Sequence, residues 1–340
     1  MLVSITGGTG YVGAHSTAAL VKAGHRVRLL VRNESTVERA LQPLGVDPAA
    51  VDVVTGNVLD RFGVNRLLRG ADALLHAASV YSFDSRSHGE LSRTNVAGTV
   101  RVLEAARRAG TGRIVYVSSF GALLPSAGRL VPESPVGRPR ERYLAAKAEA
   151  ETVARAHQAA GAPVTITYPP ALLGPHDPKL GDQVTRLRNT LRGLMPVWPT
   201  GGLPMGDIRD TAALHAALIT GTGPAGNRHF PPGRYVSTRE FVATLREVTG
   251  RALPAVYFPA RAMLPLGVLT GWVQRAWPWH IPAEYGAIYT CACDARVEAS
   301  GRPSRTLSET LADTIRWLHG EGLLAARAAG TVAGGGLRAA

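Results

Sequence analysis

Thr6-Gly7-Gly8-Thr9-Gly10-Tyr11-Val12-Gly13 is the stretch on which the reading of this chain turns. It follows an apolar run, Leu2–Thr6, and opens a helical pattern over Gly13–Ala23. In a strand–turn–helix of this kind Gly7 allows the tight turn, and Gly10 the close approach of a pyrophosphate. Gly13 lets helix and strand pack together. Thr9, Tyr11 and Val12 share the turn, where unpaired N–H groups and the helix dipole favour phosphate. A glycine motif alone is weak evidence; its place between first strand and first helix gives it meaning.

Outward from that turn, further apolar runs at Arg26–Val31, Val51–Thr55, Ala73–His76, Arg113–Ser118 and Val164–Tyr168 read as strands. Helical patterns separate them, notably Thr99–Ala109 and Arg142–Ala160. Near-continuous apolar strands alternating with helices predict an α/β protein with a doubly wound parallel sheet. Residues 1–168 are assigned to this nucleotide-binding domain. After Pro169 glycine and proline become dense (Pro196, Pro199, Gly201, Gly202, Pro204) and the alternation fades. Residues 169–325 are therefore expected to form a smaller, loop-rich substrate-binding region, with segments returning to the sheet. Thr306–Leu318 reads as a closing amphipathic helix, and the Ala/Gly-rich residues 326–340 as a flexible tail.

The 340 residues are 45% hydrophobic and 19% charged, enough apolar surface for a sizeable core. The net charge of +13 is carried by scattered arginines, with lysine only at Lys22, Lys147 and Lys179. With no basic run and no nucleic-acid module, no nucleic-acid partner is expected. Cys291 and Cys293 cannot build a disulfide framework, and no further ligands cluster near them for a metal. They are expected to be small, buried or half-buried residues on a strand. With Leu2–Ile5 already reading as a strand, no signal peptide is expected. The apolar stretch from Met263 to Trp277 is broken by Pro265, Gly267, Gly271, Gln274 and Arg275. A cytoplasmic protein without stable membrane insertion is expected.

The end of the second strand bears on the cofactor. A site selective for NAD places a carboxylate there for the ribose 2′-hydroxyl. This chain reads Leu29-Leu30-Val31-Arg32-Asn33. Arg32 can pair with a 2′-phosphate, so NADP(H) is favoured over the alternative of a solvated surface arginine. Asn57 and Val58 follow the third strand, where an amide could reach the adenine. Ala77, Ala78 and Ser79 follow the fourth, small enough for a cofactor to lie against the backbone. His76 is read equally as a core histidine or a functional one.

Tyr143-Leu144-Ala145-Ala146-Lys147 places a phenol and an ammonium at i, i+4 on one helix face. With lysine this scarce, a chance coincidence is remote. The Lys147 charge favours phenolate, which suits Tyr143 as proton donor to an alkoxide forming from a carbonyl. Ser118-Ser119 ends the fifth strand, where a hydroxyl can meet the carbonyl oxygen as charge grows. Ser119 is preferred, with Ser118 as the alternative.

The TGGTGYVG turn, the Val117-Ser118-Ser119 strand end and the YLAAK helix, in that order, resemble the extended short-chain dehydrogenases/reductases. So do Asn95-Val96-Ala97-Gly98-Thr99, Gly206-Asp207-Ile208-Arg209-Asp210 and the portion from Asp294 to Leu318. The resemblance covers nearly the whole chain. It implies a Rossmann fold, a catalytic triad of Ser119, Tyr143 and Lys147, and a second role for Lys147 on the nicotinamide ribose. Asn95 would support the site from behind. Pro169 and Pro170 would complete the cofactor wall, and a homodimer is expected. Where nucleotide-sugar epimerases and dehydratases read R-P-x-N-x-Y-G-P after the sixth strand, this chain has Tyr168-Pro169-Pro170-Ala171-Leu172-Leu173-Gly174-Pro175. The Thr-Asp-Glu run of a dehydratase is replaced by Ser119-Phe120-Gly121. The resemblance thus leans toward dihydroflavonol 4-reductases and 3β-hydroxysteroid dehydrogenases.

The leading expectation is an NADPH-dependent reductase of an apolar or aromatic ketone or aldehyde, a small-molecule carbonyl substrate. A nucleotide-sugar epimerase/dehydratase and a non-catalytic NADP(H) sensor are the alternatives. Val80-Tyr81-Ser82-Phe83, Pro170-Ala171-Leu172 and Met195 to Leu203 are candidate pocket walls. Trp272, Trp277, Trp279 and Tyr285 could line the pocket or pack a lid or interface. Arg186, Arg188, Arg192 and Arg209 are the residues that could clamp a phosphate instead.

Overall fold

The computed structural model describes residues 1–80, 93–126, 128–273 and 285–334. Its centre is a seven-stranded, wholly parallel sheet in the order β10-β6-β5-β4-β1-β2-β3. The strands are β1 (Leu2–Thr6), β2 (Arg26–Val31), β3 (Val51–Thr55), β4 (Ala73–His76), β5 (Arg113–Val117), β6 (Val164–Thr167) and β10 (Arg228–His229). β1 is central: Ile5 pairs with Leu29 on one side and Leu75 on the other. Strand order reverses between β1 and β4, so a crevice opens beyond their carboxyl ends.

Both faces of the sheet are covered, which is why its strands read as apolar without alternation. One face carries α3 (Arg61–Leu68), α4 (Gly98–Arg108) and α5 (Arg142–Ala159), packed through Leu67, Leu74, Val102, Leu103, Ile114 and Ala150. The other carries α1 (Tyr11–Lys22) and α2 (Ser35–Leu41), around Val3, Ala14, Leu29 and Val115. A helix from the second half, α7 (Ile208–Thr220), completes that layer against α1. Buried His215 on α7 joins Ser16 of α1 and Thr167 of β6, at 3.0 Å each.

The second half is more regular than its glycine and proline content leads one to expect. β7 (Ala171–Leu173), β9 (Gly202–Asp207) and β11 (Arg234–Ser237) form one small sheet, and β8 (Val197–Pro199) pairs with β12 (Val256–Phe258). α6 (Asp182–Leu191), α8 (Thr238–Thr249) and α11 (Leu307–Gly320) pack with them around Leu187, Val242, Leu311 and Ile315. A capping box opens α11: Thr306 Oγ1 accepts from the Glu309 N–H, and the Glu309 carboxylate from the Thr306 N–H. α9 (Ala260–Val273) and α10 (Tyr285–Cys293) form a helical pair. Among the described residues no helix is long and apolar enough to cross a membrane.

Two expectations are corrected. Cys291 and Cys293 lie on α10, not on a strand; Cys291 is buried and burial pushes its thiol up to about 12. The start of the expected flexible tail is folded: α12 (Ala326–Ala329) buries Ala328 and Ala329, and α13 (Thr331–Gly334) follows. Small side chains let this segment approach α8 closely. The Thr331 hydroxyl donates to the Val248 carbonyl at 2.9 Å.

Candidate active site

The glycine turn has the shape its residues require. Gly7 has φ +74°, and a Cβ there would stand 2.6 Å from the Ala78 nitrogen. A Cβ on Gly13 would meet the Gly7 oxygen at 2.0 Å. The turn therefore lies against the segment after β4, and α1 starts with no side chain capping its first turn. The Tyr11 hydroxyl donates to the Gly174 carbonyl at 2.8 Å, fixing α1 to the residues after β7. Burial, with Asp177 and Asp207 nearby, drives that phenol well above its ordinary range.

A cavity of about 910 Å³ runs from this turn into the second half. Gly7, Gly10, Tyr11, Val12, Gly13, Arg32, Ala77, Ser79, Pro169 and Pro170 line it, as do Ser119, Tyr143 and Lys147. Thr9 and Ala78 do not line it; Ala78 backs Gly7 instead. Asn57 and Val58 are also not brought to its wall. The Asn57 side chain accepts from the Leu59 N–H at 2.7 Å, and Val58 is buried against Gly98. Arg32 is exposed at the end of β2. An acid does stand two residues further on, but Glu34 accepts from the Thr55 hydroxyl at 2.5 Å and does not line the cavity.

His76 resolves as a core histidine. Its Nδ1 meets Thr6 Oγ1 at 2.6 Å and its Nε2 meets Thr99 Oγ1 at 3.1 Å. Burial, reinforced by the Lys147 charge, pushes it down to about 3, so the ring is neutral. Asn95 works on the backbone. It accepts from the Val80 N–H at 2.8 Å and donates to the Val80 carbonyl at 3.0 Å, holding the cavity wall after β4.

α5 delivers two of the three candidate catalytic groups. Glu141 caps it, accepting from the Leu144 N–H at 2.8 Å. In its first turn Tyr143 is buried at the cavity wall, and Lys147 follows four residues later. The Lys147 ammonium donates to the Val117 carbonyl at 3.2 Å, tying the helix to the end of β5. Burial lowers Lys147 to about 8, and the negative charge of Glu151 opposes the fall. Ser119 lies where β5 gives way to a short 3-10 turn, its Oγ accepting from the Gly121 N–H at 3.1 Å.

Glu151 escaped the sequence reading. It continues the spacing Tyr143, Lys147, Glu151, Arg155, and that four-residue repeat was the available signal. Fully buried, it accepts from the Ser118 hydroxyl, from Tyr168 at 2.7 Å and from Arg155 at 2.9 Å. Arg155 in turn reaches the Ser134 carbonyl at 2.8 Å. The buried carboxylate is thus paired and hydrogen-bonded on every side the structure describes, as a charge in the interior must be.

The far half of the cavity is largely apolar. Ala171, Leu172, Met195 to Pro199 and Leu203 form one side; Met263 and Leu266 of α9 and Ile288 of α10 form another. Lys179, Asp182, Gln183 and Arg186 are polar exceptions. Arg209 is withdrawn from the site: it pairs with Asp207 and Asp313 at 2.7 Å each. Burial pushes the Asp207 carboxyl up, but hydrogen bonds from Arg209 and Thr310 prevail and hold it below its ordinary value. Arg188 and Arg192 do not line the cavity. Tyr285 does not either, and stacks on Tyr289. Tyr81, Ser82, Phe83, Trp277, Trp279 and the Trp272 side chain lie outside the described residues.

Comparison with known proteins agrees with this fold. The profile of the NAD dependent epimerase/dehydratase family matches residues 3–228. "Sterol demethylase protein B" of Methylococcus capsulatus is 28% identical over 95% of this chain and 100% of its own. A "putative dihydroflavonol 4-reductase" of Synechocystis sp. is 30% identical over 94% of each. Among solved structures, DesIV of Streptomyces venezuelae, a dTDP-glucose 4,6-dehydratase with NAD bound, superposes with a TM-score of 0.72. It is 26% identical, covering 96% of this chain and 99% of its own. Fold, motif order and these matches together establish that the chain belongs to the NAD dependent epimerase/dehydratase family of extended short-chain dehydrogenases/reductases.

Proposed function

We propose that the protein is an NADP(H)-dependent carbonyl reductase acting on an apolar or aromatic ketone or aldehyde, reversible as an alcohol dehydrogenase. The observation that carries this reading is one cavity with the glycine turn and Ser119, Tyr143 and Lys147 at one end and apolar walls at the other. The glycine turn fits a dinucleotide: without side chains Gly7 and Gly13 let it close tightly on the backbone of Ala78 and on itself, and the first turn of α1 beside the cavity has no side-chain cap. Gly10, Val12, Ala77 and Ser79 would hold it, with Arg32 at the adenosine 2′-phosphate and Lys147 at the nicotinamide ribose. When bound, the cofactor supplies hydride.

The chain's own groups handle the oxygen. Tyr143 gives its phenolic proton to the carbonyl oxygen of the substrate as negative charge develops there. Ser119 can donate a hydrogen bond to the same oxygen, since the contact from Gly121 uses its lone pair and not its proton. Lys147, buried and cationic below about pH 8, stabilises phenolate after transfer. The apolar walls take up the substrate body, at about 25 cal/mol per Å² buried. A sterol and a dihydroflavonol in the names of two relatives fit that wall chemistry. The same reading makes the enzyme a cytoplasmic homodimer, which sedimentation velocity would check.

A second reading, nucleotide-sugar epimerase or dehydratase, is favoured by Lys179 and Arg186 in the cavity wall and by the likeness to DesIV. Fluorescence titration with NADPH, followed by a panel of aryl and alicyclic ketones, separates the two. A reductase exchanges its cofactor freely and consumes NADPH with a ketone. Cofactor retained through purification, with no ketone reduced, would support the epimerase.

A further inference from the structure

The mouth of the cavity opens onto an apolar surface. Leu194, Val197, Val256, Phe258, Leu266, Val268 and Leu269 are 43% to 60% exposed, and they come from three neighbouring pieces of chain. β8 and β12 pair in register, Val197 with Val256 and Pro199 with Phe258, so these four share one face of the ribbon. α9 begins two residues after Phe258. Met263 and Gly267 turn inward, Gly267 so close to α10 that a Cβ would stand 2.9 Å from the Tyr285 Cα. Pro265, Leu266, Val268 and Leu269 turn outward. Leu194, Val197 and Leu266 belong both to this patch and to the cavity wall. The patch and the largely apolar wall of the cavity that holds the candidate catalytic groups therefore share residues. A contiguous patch of this kind marks an interaction site.

Charge selects the partner. Residues 183–206 and 248–273, which contain the whole patch, hold five arginines and no Asp or Glu. Arg192 and Arg261 are exposed, two residues from Leu194 and five from Leu266 respectively. Seven exposed apolar side chains with two exposed arginines, Arg192 and Arg261, close to them in the chain complement a surface that is apolar inside and anionic outside. That is the chemistry of an anionic lipid leaflet. α9, with 14 residues, is about 21 Å long, too short to span a bilayer but suited to lying in its interface.

We propose that this rim docks on the surface of an anionic bilayer, and that the substrate is a membrane-dissolved carbonyl lipid entering the cavity without crossing water. The docking stands on the surface alone; the lipid substrate rests on the carbonyl reductase reading. Only the outer face of α9 and the β8–β12 ribbon touch lipid, and the sheet stays in water. The catalytic end of the cavity keeps its own wall of Pro169, Pro170 and Ala171.

The test is co-sedimentation of the full chain with phosphatidylcholine vesicles, with and without phosphatidylglycerol. The chain should bind the mixed vesicles and bind pure phosphatidylcholine more weakly. Each cation lost near an anionic surface costs about fivefold in partitioning, so Arg192→Gln with Arg261→Gln should weaken binding roughly 25-fold. Phe258→Glu and Leu269→Glu, at exposed positions outside the cavity wall, should abolish binding. Their circular dichroism and their reduction of a water-soluble ketone should stay unchanged. Folded protein that ignores both vesicles, or Leu269→Glu binding as well as the parent, overturns the docking. So does a dimer in vesicle-free solution that Leu269→Glu dissolves, because the patch is then an interface between copies. Vesicle binding without reduction of any ketone leaves the docking intact and removes the reductase reading instead.

Discussion

The Ser118 hydroxyl donates to the Glu151 carboxylate, so the two adjacent serines after β5 have different duties. Ser118 spends its proton on a buried anion. Ser119 only accepts in its bond with the Gly121 N–H, and keeps its proton for the cavity. Ser119→Ala should lower kcat about 10²–10³-fold, the loss typical of one donor to a developing oxyanion, with little change in Tm. Ser118→Ala should keep kcat within severalfold but destabilise by about 1–3 kcal/mol, because Glu151 loses a buried partner. Steady-state kinetics and urea unfolding on the two variants check this, and the opposite pattern would make Ser118 the catalytic hydroxyl.

Tyr143 and Lys147 should separate chemistry from binding. Tyr143→Phe removes the proposed proton donor and should reduce turnover about 10²–10⁴-fold, with NADPH affinity unchanged. Lys147→Ala should harm turnover and NADPH affinity together if, as proposed, the ammonium serves both the phenol and the ribose. A Tyr143→Phe protein with near-normal rates removes the mechanism.

The buried network behind Lys147 sets a pH dependence with a definite sign. Burial brings Lys147 down to about 8, and Glu151, one turn along the same helix, opposes the fall. His76 on β4 faces the same ammonium but is neutral. As pH rises through about 8 the ammonium is lost, and kcat/KM for ketone reduction should decline. Glu151→Gln keeps one accepting oxygen, enough for Tyr168 or Ser118 but not both, and removes the negative charge. Lys147 then gives up its proton more readily, and the alkaline limb of kcat/KM moves to lower pH. A limb that stays in place would assign the titration to another group.

Much of this was readable from local pattern, for physical reasons that differ by element. β1 through β6 could be placed to within a residue because they are short, mostly buried apolar runs bounded by turn residues. Arg142–Ala159 announced itself through alanine content and the Tyr143–Lys147 spacing. β10 could not be read: two residues, Arg228 and His229, carry no period, and their place beside β6 comes from tertiary packing. Cys291 and Cys293 sit in a run of small and β-branched residues that suits a strand, yet Gly267 gives α9 a surface on which α10 packs as a helix. Asn57 and Val58 follow a strand end that faces the crevice, but a local turn and core packing claim their side chains. Arg209 illustrates the same limit. Its place in the sequence offered it to the cavity, and Asp313, more than a hundred residues away, holds it elsewhere.

Cofactor choice should depend on Arg32. A guanidinium paired with a 2′-phosphate contributes about 1.5–3 kcal/mol, or roughly tenfold to a hundredfold in affinity. Arg32→Ala should weaken NADPH by that factor and leave NADH nearly unchanged, as measured by quenching of intrinsic fluorescence. Glu34 makes a control: its carboxylate is engaged with Thr55, so Glu34→Gln should barely alter the preference. Equal losses of both cofactors in Arg32→Ala would show that the arginine does not discriminate.

The substrate prediction turns on what a diphosphate would find in the cavity. Two phosphates leaving water need guanidinium, ammonium or N–H donors to offset their desolvation. Of the four arginines that could have clamped them, Arg209 is consumed by Asp207 and Asp313, and Arg188 and Arg192 lie off the wall. Arg186 lines the cavity with Lys179, but Asp182 lines it too, and an acid beside them works against a second anion. The positions after β6 that face inward, Pro170, Ala171 and Leu172, offer no side-chain donor at all. UDP and dTDP at millimolar concentration should therefore leave NADPH-dependent reduction of an aryl ketone uninhibited. Arg186→Ala should change the KM for that ketone less than severalfold, because apolar contact carries its binding. Inhibition by UDP that is competitive with the ketone and abolished in Arg186→Ala would instead make this cavity a nucleotide-sugar site, with Arg186 as its phosphate clamp.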